Sequence, residues 1–345
     1  MNRLLISEEI PLYADIFAAA KRLSGVARFT PLLESADLNR LVGGRLLVKA
    51  ESLQVTGSFK FRGAYNRLSQ LDDAQRRRGI VAYSSGNHAL AVAAAAATLG
   101  TSALLVMPRD APKLKLARVK VLGGSICFYE RERNDREAIA ERLAHDHGRI
   151  LVPPSDDRDI IAGQATVATE IFEQARARGL EIDVMLACCS GGGLVAGCAL
   201  AMAERKPDCQ VYAVESVKVD RMRQSLARGA PVRLTDSGNS ICDALTSAAP
   251  GRLPWAICRH RLTGALAVSD VDVYKGMAAA FRDLKLVVEP SGAAALGAAL
   301  SRQLDLRDKT TAVICSGANV DHTTYLAGLA QGSRAYPDAN ATPQI

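Results

Sequence analysis

The stretch Lys49-Ala50-Glu51-Ser52-Leu53-Gln54-Val55-Thr56-Gly57-Ser58-Phe59-Lys60-Phe61-Arg62-Gly63-Ala64 decides how the rest of the chain is read. Lys60 follows a Thr-Gly-Ser turn and enters a helical pattern over 59–71, so amide donors and the positive end of a helix lie near its amine. Phe59 and Phe61 flank it and can exclude water. Desolvation penalises the charged form of an amine and lowers its pKa. A lysine so placed is a candidate nucleophile, able to form a Schiff base with an aldehyde. Taken alone, an ordinary surface lysine explains the same residue, so the rest of the chain must supply the partners such chemistry needs.

Outward from this stretch the pattern is regular. Upstream, 12–23 has the period of an amphipathic helix, Thr30-Pro31-Leu32 breaks into extended chain, and Leu46-Leu47-Val48 is a short buried strand. Downstream, strands are expected at 80–83, 103–107 and 125–129, alternating with helices at 88–99, 112–122 and 135–145. Leu151-Val152-Pro153-Pro154 reads as a crossing segment. A second series has helices at 161–178 and 194–205, strands at 184–189 and 211–214, an irregular region to about 259, helices at 273–284 and 292–300, and a strand at 311–315. Such alternation is the signature of βα units on parallel sheets. With no repeat and no long linker, two packed α/β lobes with a cleft between them are expected. The polar tail from 333 is expected to fray.

Composition narrows the function. The 345 residues and an apolar share of 48% support one large or two modest domains. Net charge is +7, but the basic residues are scattered. The one dense run, Arg76-Arg77-Arg78, lacks interleaved aromatics and reads as a solvated helix end, so no nucleic-acid partner is expected. Eight cysteines occur with no C-x-x-C pair. They read as reduced thiols of a cytoplasmic protein, with no disulfide framework or zinc site. Glu8 and Glu9 stand where a signal peptide needs its apolar core. The apolar stretch 184–202 is divided by Ser190-Gly191-Gly192-Gly193 into pieces too short to cross a bilayer, so no membrane partner is expected.

Three loops carry chemistry. Ser84-Ser85-Gly86-Asn87-His88 lies between a strand and an Ala-rich helix, where backbone N–H groups can face an anion. A plain N-cap explains one serine but not the Gly-Asn-His after it. Ser190-Gly191-Gly192-Gly193-Leu194 has the mechanics of a phosphate cradle, because glycine lets the backbone approach oxygens and the next helix adds its positive end. Alone it fits a nucleotide equally well, although it is neither a Rossmann G-x-G-x-x-G nor followed by a Walker lysine. Cys315-Ser316-Gly317-Ala318-Asn319 follows the last strand, and a turn serine would account for Ser316 in isolation.

In this order the lysine stretch and the three loops resemble the motifs of fold type II pyridoxal 5'-phosphate (PLP) enzymes, the tryptophan synthase β-like class, and specifically the threonine/serine dehydratase and serine racemase family. Met107-Pro108 and Ala111-Pro112-x-x-Lys115 resemble it too. The resemblance implies a two-lobe α/β fold with parallel-rich sheets, a small domain at 52–152 inserted in a large domain of 1–51 and 153–332, and a tail at 333–345. It implies that Lys60 holds PLP beside Phe59, that Ser84, Ser85, Gly86, Asn87 and His88 hold the substrate carboxylate, and that Asn87 contacts the cofactor's phenolic oxygen. The cofactor phosphate would rest on Ser190, Gly191, Gly192, Gly193 and Leu194, and Ser316 would bond the pyridine nitrogen. A hydroxyl there, unlike an aspartate, does not hold that nitrogen protonated. Departures are Leu90 for the usual glutamine, Ser190 for the first of four glycines, and Ala318 for a second glycine.

The activity implied is an ammonia-lyase that converts a β-hydroxy amino acid of the L-threonine/L-serine class to a 2-oxo acid and ammonia, with Lys60 as general base. Ser85 keeps an alternative open. Dehydratases of the family usually carry alanine there, whereas serine racemases and some hydroxyaspartate dehydratases carry a serine that exchanges a proton on the face opposite the lysine. A second capping hydroxyl explains Ser85 equally. The stretch 240–259 departs from the threonine-enzyme pattern and is faintly similar to dehydratases of hydroxyectoine utilisation. Cysteine-synthase-like replacement fits less well, because that branch follows its lysine with Asp-Arg and here Phe61-Arg62 stands. Glu215 matches a divalent-metal carboxylate of metal-activated members, but the second acid falls at Arg221, with Asp220 beside it, so a metal stays an open alternative. A homodimer is the family's usual assembly. A non-catalytic sensor of phosphate ligands is the alternative of another class.

Overall fold

The computed structural model describes residues 9–131, 133, 135–234 and 240–335. The first helix, α1 (Tyr13–Leu23), buries Ile16, Ala19 and Leu23 at helical spacing. It leads through β1 (Leu32–Glu34), α2 (Ala36–Val42), β2 (Arg45–Lys49) and two short 3-10 turns to α3 (Lys60–Leu68). The chain then alternates through α4 (Asp73–Arg78), β3 (Ile80–Tyr83), α5 (Asn87–Thr98), β4 (Ala103–Pro108), α6 (Lys113–Val121), β5 (Ser125–Tyr129), α7 (Arg136–Asp146) and β6 (Ile150–Leu151). A second run follows with α8 (Arg158–Arg176), β7 (Val184–Cys188), α9 (Gly193–Arg205), β8 (Gln210–Ser216), α10 (Arg221–Arg228) and α11 (Arg252–Arg261). It closes with β9 (Gly264–Val268), α12 (Asp270–Leu284), α13 (Pro290–Leu300), β10 (Thr310–Ile314) and α14 (His322–Ala335).

Two sheets result. One has six strands in the order β1-β2-β10-β7-β8-β9, the other four in the order β5-β4-β3-β6. Every pairing is parallel except β1 with β2. Helices cover the sheets, so β3 and β7 are buried at every position and are apolar throughout rather than alternating. The larger apolar core surrounds the six-stranded sheet and a second core lies against the four-stranded one. Helices α3 and α8 approach closely: a Cβ on Gly163 would stand 2.6 Å from the Cα of Gly63.

A buried ionic network fixes the helix behind Lys60. Arg62 donates from Nε and Nη2 to the two oxygens of Glu51 at 2.8 and 2.7 Å, and from Nη1 to Glu170 at 2.6 Å. Lys49 Nζ joins Glu170 at 2.6 Å and the carbonyl of Thr30 at 2.7 Å. Arg62, Lys49 and Glu51 have no solvent exposure, so each charge must be paired to be tolerated there.

Several elements depart from the sequence expectation. The extended chain after Pro31 is an edge strand on β2, and the crossing segment begins with β6, paired to β3. The helix expected from 161 starts at Arg158, where Asp157 Oδ1 accepts from the backbone N–H of Asp159 and Ile160. The region expected to be irregular up to 259 holds α10 and α11. Residues 333–335 finish α14 instead of fraying, and 336–345 lie outside the described residues. Arg76, Arg77 and Arg78 do end a helix, filling the last turn of α4. The eight cysteines are unpaired, and Cys127 alone is not buried. Among the described residues no helix is long and apolar enough to cross a membrane.

Candidate active site

Lys60 is the first residue of α3 and reaches the site because the segment before it is stitched to the end of β10. Ser58 bridges Gly317, and the N–H of Phe59 donates to the carbonyl of Ser316 at 3.1 Å. Lys60 Nζ donates to the carbonyl of Pro154 at 2.6 Å and stands 5.2 Å from the centre of the Phe59 ring. Burial brings its pKa down to about 8, with Arg136 pushing the same way and Cys188 opposing. The desolvated amine expected from the flanking phenylalanines is present, but Phe61 turns into the core. Pro154 and Arg136 complete the surroundings.

The Ser84–His88 segment leads into α5. Ser84 Oγ accepts from the N–H of Gly86 at 3.0 Å. Asn87 is the first residue of the helix, and both ends of its amide are engaged. Nδ2 donates to Glu289, and Oδ1 accepts from Asn319 Nδ2 at 3.0 Å. His88 lies 3.0 Å through Nε2 from the carbonyl of Val152, while its Nδ1 has no hydrogen bond. Burial and then Lys60 hold its pKa down at about 3, so the ring is neutral and donates to that carbonyl. Ser85 lines the cavity shared with Lys60.

Opposite lies the bend between β7 and α9. Gly192 has φ of 96°, open to glycine at little cost. A Cβ on Gly191 would stand 2.2 Å from Ser155 Oγ, and one on Gly193 would stand 3.0 Å from the carbonyl of Ser155. The bend therefore has room for backbone alone, at a helix N-terminus whose first amides lack helical partners. Ser190, in place of a glycine, shares a 2.9 Å hydrogen bond with Ser247 Oγ and accepts from the N–H of Ser247 at 3.2 Å. It anchors the 243–247 wall of the cleft. Ser316 is buried and its Oγ accepts from Cys188 Sγ at 3.1 Å.

All these segments line one cavity. It also takes in residues that sequence reasoning missed as site residues: Lys115, Arg136, Ser155, Asp243, Glu289 and Ser291. Lys115 stood in the Ala-Pro-x-x-Lys step, but nothing local announced its partner. Its ammonium bonds Asp243 at 2.9 Å across 128 positions and lies 3.7 Å from Glu289.

Glu215 is elsewhere. Its two oxygens accept from the N–H groups of Met222 and Arg223 at 3.0 and 2.9 Å, at the start of α10. Arg221, at the position of the second acid, donates to the carbonyl of Leu245 at 2.6 Å, and Asp220 pairs with Arg223. Among the described residues no group of three or more His, Cys, Asp or Glu could hold a metal. Both oxygens of this strand carboxylate are thus engaged by the first amides of α10.

Fold and cleft together define an α/β enzyme in which a desolvated lysine, a glycine bend and the Ser84–His88 loop meet. The pyridoxal-phosphate dependent enzyme family matches residues 23–317, and the chain belongs to it. An L-threo-3-hydroxyaspartate ammonia-lyase of Pseudomonas sp is 38% identical over 324 residues, covering 94% of this chain and 100% of that protein. A serine racemase of Schizosaccharomyces pombe is 37% identical over 322 residues, covering 93% and 98%. The solved maize serine racemase superposes with a TM-score of 0.87 at 36% identity, over 94% of this chain and 98% of that one. The fold is thus that of fold type II PLP enzymes, and PLP is the cofactor. The donor set fits it: a bend that a Cβ would fill for a phosphate, an amine of lowered pKa for an aldehyde, and a buried hydroxyl for a ring nitrogen.

Proposed function

We propose that this protein is a PLP-dependent ammonia-lyase that converts a β-hydroxy amino acid of the L-threonine/L-serine class to a 2-oxo acid and ammonia. The observation that carries this reading is the convergence of Lys60 Nζ, the Ser84–His88 loop and the Ser316 hydroxyl on one cleft. When bound, the cofactor supplies an electron sink that acidifies the Cα–H of an amino acid joined to it. Lys60 would hold the cofactor, and its Nζ, once free, would take the α-proton, its lowered pKa suiting a general base near neutral pH. Backbone and hydroxyl donors of 84–88 bind and orient the carboxylate. Asn87 serves the phenolic oxygen, Ser190 to Leu194 the phosphate, and Ser316 the ring nitrogen, without a carboxylate that would keep it protonated. The β-hydroxyl would leave as water by taking up one proton, in balance with the α-proton lost, and the resulting enamine would be hydrolysed by one water to the 2-oxo acid and ammonia.

Two observations favour neighbouring readings. Ser85 lines the same cavity as Lys60, which supports racemisation beside elimination. Arg136 also lines it, and a guanidinium there suits a second carboxylate, which supports 3-hydroxyaspartate as substrate. We read 52–152 as the small domain, since the four-stranded sheet falls wholly within it; we carry the homodimer from the family resemblance and the cytoplasmic location from the unpaired cysteines.

The test is to incubate the PLP-loaded protein with L-serine, L-threonine and L-threo-3-hydroxyaspartate and assay ammonia and D-isomers, with Lys60→Ala as control. Ammonia from one of these, abolished by Lys60→Ala, is expected. Tight cofactor binding with neither ammonia nor D-isomer from any of the three would leave the sensor reading in its place.

A further inference from the structure

We propose that Lys115 is a positioning residue: paired with Glu289, it fixes the carboxylate that orients the Asn87 amide. The inference rests on the reading of Asn87 as the residue serving the cofactor's phenolic oxygen. Four side chains form a chain of hydrogen bonds with one polarity. Arg118 Nη1 donates to Asn319 Oδ1 at 3.2 Å, and Asn319 Nδ2 donates to Asn87 Oδ1 at 3.0 Å and to the carbonyl of Thr56 at 2.8 Å. Asn87 Nδ2 then donates to Glu289 Oε1.

Arginine can only donate, and an ionised carboxylate can only accept. With both ends of that kind the two amides have one orientation. Asn87 is left with one uncommitted N–H, the donor its proposed role needs. A protonated Glu289 could itself donate, and the Asn87 amide would then be oriented from the Asn319 side alone.

What keeps Glu289 ionised is therefore part of the site. Glu289 is 1% exposed, and its Oε2 has no hydrogen bond among the described residues, the Lys115 ammonium lying 3.7 Å from it. Burial pushes its pKa up to about 7, Lys115 opposes this, and Asp243 adds to it. The other groups facing it are Asn87 and the Cys188 thiol. Lys115 is also held in place by its stem: a Cβ on Gly86 would stand 2.5 Å from Lys115 Cδ, so the lysine packs on the loop that carries Asn87.

The test follows the Glu289 carboxyl by pH-difference infrared spectroscopy on the full-length protein, with and without cofactor, using Glu289→Gln to assign its band. Losing an opposite charge at this range moves a carboxyl by about 1–3 pH units. Lys115→Met should raise the midpoint by about that much, and Lys115→Arg should leave it within about half a unit. Asp243→Asn, which keeps Lys115, should move the midpoint down. In the loaded enzyme the acid limb of the kcat profile should rise with the midpoint in Lys115→Met, so that activity lost at neutral pH returns at higher pH. A midpoint unmoved in both Lys115→Met and Asp243→Asn overturns the proposal, as does a Lys115→Arg protein that behaves like Lys115→Met. Because the carboxyl is read without cofactor as well, failure of the lyase reading would show as absent ammonia with the carboxyl shifts intact.

Discussion

Lys60 works by being uncomfortable. An amine held against a phenylalanine ring and a single carbonyl gives up its proton near pH 8 instead of near 10.5. The rate at which the apoprotein takes up PLP should therefore climb with pH through about 8 and then level off, as followed by cofactor absorbance; a rate flat across that range would show that the amine is not desolvated. Ser85→Ala should suppress D-isomer formation by about 10²–10⁴-fold while ammonia release persists, if Ser85 moves a proton. Equal loss of both activities would assign it to carboxylate binding. At this scale much was legible: Lys60, Ser84 to His88, Ser190 to Leu194 and Ser316 come from four separate motifs and line one cavity. Lys115, Asp243 and Glu289 were not legible as site residues, because what makes them so is an ion pair between distant segments.

Helix α10 shows what element-scale reading misses. Its sequence offers Asp220 as an ordinary cap, yet Asp220 makes no capping hydrogen bond. Its second and third amides are satisfied by Glu215, on the preceding strand, so the start signal lies outside the local window. Glu215→Ala should cost about 1–2 kcal/mol of stability, the usual value of a lost N-cap, measured by denaturant unfolding. Burial raises the pKa of Glu215 from 4.5 to about 7. The folded state thus binds this proton more tightly than the unfolded one, and the stability it contributes falls as pH rises from 4.5 towards 7. Glu215→Gln should flatten that part of the stability profile; an unchanged slope would contradict the burial account. Helices α5 and α9, by contrast, open directly from the loops that defined them in sequence.

For the whole molecule, alternation of apolar strands with helices was enough to read parallel sheets, since βα units bury strands on both faces. How the strands divide between two sheets was not readable from the strand pattern and came only as what the family resemblance implied, because β2 and β10 pair across more than two hundred positions of chain. The buried Arg62–Glu51–Glu170–Lys49 network joins the lysine helix to β2 and α8. Arg62→Met removes the centre of this network and leaves Glu51 buried without its arginine, so a loss of about 3–5 kcal/mol is expected by denaturant unfolding. A loss under about 1 kcal/mol would place Arg62 among weak surface pairs.

The Lys60 amine is expected to carry the cofactor against the glycine bend. Borohydride reduction of the PLP-loaded protein, followed by digestion and peptide mass analysis, tests it most directly. The expected result is a reduced pyridoxyl-phosphate adduct on the peptide containing Lys60 and on no other. An unmodified Lys60 peptide, or an adduct on a different lysine, would contradict it.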